Sequence, residues 1–102
     1  MIKEVVVSRD GVEDLEEGRV FYERRQPGIG DYFWDSLLSD MESLTIFAGV
    51  HAKQYGFFRM LSKRFPYGIY YEIDQDTATY IVGILPMRRD PAWIEARVRS
   101  RR

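Results

Sequence analysis

The sequence predicts an α+β domain: an N-terminal strand, a helical hairpin, a three-stranded antiparallel meander that completes one sheet, and a short C-terminal helix. Three observations predict it. Apolar residues recur at helical spacing between Gly11 and Leu44, the pattern turns extended after Phe47, and Pro91 follows the last extended run where a helix can begin.

The elements follow in order. Ile2, Val5, Val6 and Val7 are β-branched and favour a strand. Asp10, three residues before Glu13, has the spacing of a capping box and predicts a helix start. In that helix Gly11, Leu15, Gly18 and Tyr22 share one face, with Glu13, Glu16, Glu17 and Arg24 away from it. The two glycines let another element come close. Pro27 and Gly28 end the helix, and Gly30 and Asp31 open a second whose apolar stripe runs Phe33, Leu37, Met41 and Leu44. Residues 48–54 read as a polar, glycine-bearing connection holding the single histidine, His51, which is expected to be solvated.

Residues 55–61, 68–74 and 78–85 then read as strands, the last two joined by the polar turn Gln75, Asp76 and Thr77. Residues 91–99 predict the terminal helix, after which the arginine-rich end is expected to fray. The helical hairpin should cover one sheet face and leave the other partly open.

Composition narrows the function. A chain of 102 residues, 45% hydrophobic, builds one core, so residues 1–102 are expected to form a single domain. The absence of cysteine excludes disulfides, thiolate metal sites and a cysteine nucleophile. No histidine cluster points to a metal, and Gly28-Ile29-Gly30 lacks the strand before it and the Lys-Ser/Thr after it that a phosphate loop needs, so no cofactor is expected. With no signal-like segment at Met1 and no apolar run longer than residues 80–85, the expected location is cytoplasmic.

Charge is divided unevenly. The net charge is −1, yet residues 1–50 hold five basic against eleven acidic groups, net −6, and residues 51–102 hold ten against five, net +5. A working surface on the basic half, facing a polyanion or an acidic partner, is expected. Arg59 interrupts an apolar strand between Phe58 and Met60, and a buried guanidinium needs a carboxylate or a groove. Glu72 on the neighbouring strand is the candidate carboxylate. Arg64 precedes the Phe65-Pro66 turn, and Arg88 and Arg89 follow the last strand; being consecutive, their side chains diverge if they still lie on a strand, so that at most one is expected in a groove shared with Arg59, and Arg89 can pair with Asp90.

The run from Phe58 to Trp93, with Phe65-Pro66-Tyr67 at one strand start and Arg88-Arg89-Asp90-Pro91 after the next, resembles the RelE/ParE superfamily of toxins from type II toxin–antitoxin modules. Asp14-Leu15, Tyr22, Pro27-Gly28-Ile29-Gly30 and Phe33 fit the same family's opening strand and helical hairpin. The resemblance implies a cognate antitoxin as partner and one of two targets. A ParE-like toxin would bind DNA gyrase through Arg59, Arg64, Arg88, Arg89 and Trp93, with no catalysis. A RelE-like toxin would be an endonuclease cutting mRNA on the ribosome, with Arg59, Arg64 and Arg89 catalytic. A third possibility is an inactive toxin-derived binding domain.

Many relatives place a titratable residue five positions before the proline matched by Pro91; here Pro86 stands there, and a pyrrolidine ring cannot act as acid or base. Three lysines and a sequence pI near 5.8 also fall short of the basic balance of the nucleases. Both points favour gyrase. Val20, Trp34 and Leu38 extend the apolar arc of the hairpin and are the expected antitoxin contacts.

Overall fold

The computed structural model describes residues 4–75 and 77–101. Ile2, Asp76 and Arg102, on which parts of the expected first strand, last turn and basic end fall, lie outside the described residues. The order is β1 (Glu4–Val7), α1 (Arg9–Arg25), α2 (Ile29–Glu42), α3 (Leu44–Phe47), β2 (Lys53–Gln54), β3 (Phe57–Leu61), β4 (Tyr67–Asp74), β5 (Ala78–Pro86) and α4 (Pro91–Arg99). The five strands form one mixed sheet in the order β1-β5-β4-β3-β2, in which β1 runs parallel to β5 and the others pair antiparallel.

Local chemistry sets the boundaries. Ser8, not Asp10, caps α1: its backbone is extended and its hydroxyl accepts from the Gly11 N–H at 3.0 Å, so Asp10 falls in the first turn. Gly28 adopts φ 95° before α2, and the Glu23 carboxylate accepts from the N–H groups of Gly28 and Gly30, filling the capping role that glycine cannot. The expected strand over residues 55–61 is shorter because Tyr55 and Gly56, both at positive φ, make the two-residue turn of a hairpin joining β2 to β3. Asp90 caps α4 by accepting from the Ala92 N–H at 2.9 Å, with Pro91 in the first turn.

One core lies between the sheet and the α1–α2 hairpin. Leu15, Phe33, Leu37, Met41, Leu44, Met60, Ile69, Tyr71, Ile81 and Ile84 are buried there. Gly18 lets the hairpin close: a Cβ on it would stand 2.5 Å from Phe33 Cζ. Tyr22, Phe33, Phe65 and Tyr67 pack as a ring cluster, with centroids of Tyr22 and Phe33 5.2 Å apart and of Phe33 and Tyr67 4.9 Å apart.

The second face is less open than expected. Ile94 and Val98 of α4 are buried against Phe57, Tyr70, Val82 and Leu85, because their spacing of four puts both on one side of a helix that folds back over the strands. Nor does the arginine-rich end fray at Arg101. In β5, Tyr70 pairs with Gly83 and Tyr71 with Ile81, leaving Val82 as an extra residue in a β-bulge. β1 has ended at the level of Ile81, so the edge of β5 beyond it needs other partners. Asp14 accepts from the Ile84 N–H at 3.0 Å, and Arg101 donates to the Val82 carbonyl and to Asp14.

Candidate functional site

Because β1 stops short, α1 and α4 flank the far end of β5 and leave a groove of about 330 Å³ between them. Its α1 wall is Glu17, Gly18, Phe21 and Tyr22; its base includes Tyr67, Ile84 and Leu85; Pro86, Arg88, Arg89, Trp93 and Arg97 form the opposite side. Arg88 and Arg89 stand in the turn that ends β5, and Trp93 and Arg97 are one helical turn apart on α4, so the chain brings three guanidinium groups to one side.

Trp93 organises that side. The Arg89 guanidinium lies 3.9 Å from its ring centroid and that of Arg97 4.6 Å, so both cations stack on the indole. Arg89 makes no ion pair with Asp90 among the described residues; Asp90 is occupied with its helix cap. Across the groove Glu17 supplies negative charge, Asp14 being paired with Arg101, and Tyr67 is pushed up to about 12 by burial first, then by Tyr22, Asp14 and Glu17. A phenol so displaced stays protonated at neutral pH. The groove thus offers apolar walls, fixed cations and hydrogen-bond donors, a combination suited to holding an anionic, partly apolar surface.

The other expected residues fall elsewhere. Arg59 does not line this groove. Its register partner is Tyr70, while Glu72 pairs with Tyr80; no ion pair joins Arg59 to Glu72 among the described residues. Burial raises Tyr70 above the usual phenol range, and the hydrogen bond from Arg59 opposes that rise. Arg64 is exposed in the turn between β3 and β4. Arg88 and Arg89 have left the strand, and both line this groove, which Arg59 does not share.

Trp34 is half-buried against the first core, Leu38 is exposed one turn further along α2, and Val20 lies apart from them on the outer side of α1. His51 is not simply solvated, since its Nδ1 lies 2.5 Å from the Tyr71 hydroxyl, which also accepts from the Gly49 N–H. Arg97 was not among the expected site residues; its spacing of four from Trp93 was the available signal.

Among the described residues there is no group of three or more His, Asp or Glu side chains placed to hold a metal, and no helix is long and apolar enough to cross a membrane. No protein-family model and no curated protein sequence matches the chain. The fold is shared with a solved chain described as "Chromosomal ParDE TA system from P. aeruginosa", with a TM-score of 0.74 and 14% sequence identity, covering 86% of this chain and 98% of that one. At that identity the likeness establishes the fold, one found in a toxin–antitoxin system, and leaves the activity to the chemistry of the site.

Proposed function

We propose that this chain is the toxin of a type II toxin–antitoxin module, acting in the ParE manner by binding DNA gyrase and neutralised by an antitoxin encoded beside it. The shared fold carries the reading, and the groove between α1 and α4 supports it with a mechanism. Arg88, Arg89, Trp93 and Arg97 form a contact surface in which the stacked guanidinium groups keep their hydrogen-bonding edges for a partner's carboxylates or carbonyls. Inhibition by contact needs no acid–base pair, in keeping with Pro86 on the groove wall. Arg59 and Arg64 lie outside the groove.

Neutralisation follows by occupancy. An antitoxin segment with acidic and apolar side chains, disordered until bound, fills the groove and extends over Trp34 and Leu38 of α2. The deciding test adds purified chain to purified gyrase and, separately, to a translating ribosome extract. The reading expects loss of supercoiling and accumulation of cleaved DNA, with mRNA intact. Untouched gyrase together with mRNA cut only when ribosomes are present would replace it with the endonuclease.

A further inference from the structure

The outer side of α1 carries a shallow hollow of about 580 Å³ lined by Glu16, Glu17, Val20, Phe21, Arg24 and Arg25, all from this one helix. Their order has an internal symmetry. Glu17 stands three residues before Val20 and Arg24 three after Phe21; Glu16 and Arg25 stand four before and four after. A two-fold rotation about an axis across the helix, through the Val20–Phe21 midpoint, therefore exchanges acidic positions with basic ones. At 3.6 residues per turn, Glu17, Val20 and Arg24 fall within an arc of about 60°.

Of the two charge pairs this symmetry relates, one is left free. Glu16 is held by Arg19 at 2.5 Å, and Arg25 rests 4.3 Å over the Phe21 ring. Glu17 and Arg24 are exposed and make no ion pair among the described residues. Phe21, 47% exposed, stands between them. An acidic ligand would meet Glu17 and a basic one Arg24; a ligand carrying both signs in reversed order satisfies both, and the same helix run antiparallel is such a ligand.

We propose that the chain self-associates through α1 as an antiparallel two-fold dimer, with Val20 and Phe21 of each copy seated on the hollow of the other and Glu17 of each copy facing Arg24 of the other. The apolar centre is small and exposed ion pairs are individually weak, so the dimer is a reversible one that salt loosens. The inference does not need the gyrase reading, although Glu17 and Phe21 also stand on the α1 wall of the groove.

Sedimentation equilibrium of the purified full chain at low salt, up to about 0.5 mM, reads the association directly. The expected result is a monomer–dimer equilibrium. Glu17→Arg alone and Arg24→Glu alone should each lower the association constant by about tenfold or more, since each places like charges opposite one another twice. Mixing the two single variants should restore association to within about threefold of the unaltered chain, because every reversed charge then meets its complement. Circular dichroism confirms that each variant is folded, and the charge-swapped double variant should also self-associate. A chain monomeric throughout, a dimer indifferent to the single reversals, or single losses that mixing does not restore would each overturn the proposal.

Discussion

Asp14 and Arg101, 87 residues apart, form a bidentate ion pair that ties the first helix to the segment after the last. Side-chain exposures of 3% and 7% make it a buried pair. Burial opposes the guanidinium charge, but the Asp14 carboxylate outweighs it and holds Arg101 above its ordinary pKa. The pair also satisfies two backbone groups at the free edge of β5, the Ile84 N–H and the Val82 carbonyl.

Removing one partner leaves the other charged and enclosed. Arg101→Ala should therefore destabilise the domain by about 3 kcal/mol, measured by urea unfolding. Asp14→Ala should also be costly, since it strands both Arg101 and the Ile84 N–H. In the double variant the cost should fall well short of the two single losses added together.

The Gly18 position tests the packing of the hairpin. A Cβ there meets the Phe33 ring, itself wedged between Tyr22, Phe65 and Tyr67 and unable to swing aside. Gly18→Ala should lower stability by about 1–3 kcal/mol despite alanine's better helix propensity, as read from the shift of the unfolding midpoint.

Thr79 offers the opposite case. Its hydroxyl, on a fully buried side chain in β5, has no hydrogen-bond partner among the described residues. Valine keeps the shape and removes the stranded oxygen. Thr79→Val should raise stability by about 1 kcal/mol, visible in thermal unfolding.

His51 makes stability depend on pH. Burial lowers its pKa from the ordinary 6.5, and its Nδ1 lies 2.5 Å from the Tyr71 hydroxyl, which accepts from the Gly49 N–H. Between the folded pKa and 6.5 the unfolded chain binds more protons, so this contribution is complete above pH 6.5 and is lost as pH falls through the folded value. An NMR titration should place the His51 midpoint below 6.5, and His51→Gln should remove that part of the acid slope.

Local pattern made α1, α2, α4 and the strands β4 and β5 legible, and long-range pairing hid how they meet. The bounds of α4 follow from Pro91 and the apolar spacing of Ile94 and Val98, and the buried face of α1 from Gly11, Leu15 and Gly18. The Asp14–Arg101 pair gives no periodic signal; its trace is a carboxylate at the border of an apolar stripe. For Arg59, strand pairing decided the outcome: the register sets Tyr70 opposite it and Glu72 opposite Tyr80, which spacing along the chain does not reveal. The groove was half legible. Arg88, Arg89 and Trp93 were in view, but their convergence depends on β1 ending early and α4 folding back.

The groove can be separated from the remaining arginines by growth arrest. Arg88 and Arg89 are exposed, and Arg97 is held chiefly by its stacking on Trp93, so replacing any of the three by alanine should leave stability within about 1 kcal/mol. Under the groove reading, Arg89→Ala and Arg97→Ala each relieve growth arrest when expressed without antitoxin, and the two together relieve it more fully. Arg64→Ala, in the turn between β3 and β4, should leave arrest intact. Arg59→Ala removes a guanidinium that acts on the Tyr70 phenol, so its effect on arrest is to be read beside its unfolding midpoint. Relief by Arg64→Ala at full stability, with Arg89→Ala and Arg97→Ala still arresting growth, would move the contact surface from the groove to the adjoining turn between β3 and β4.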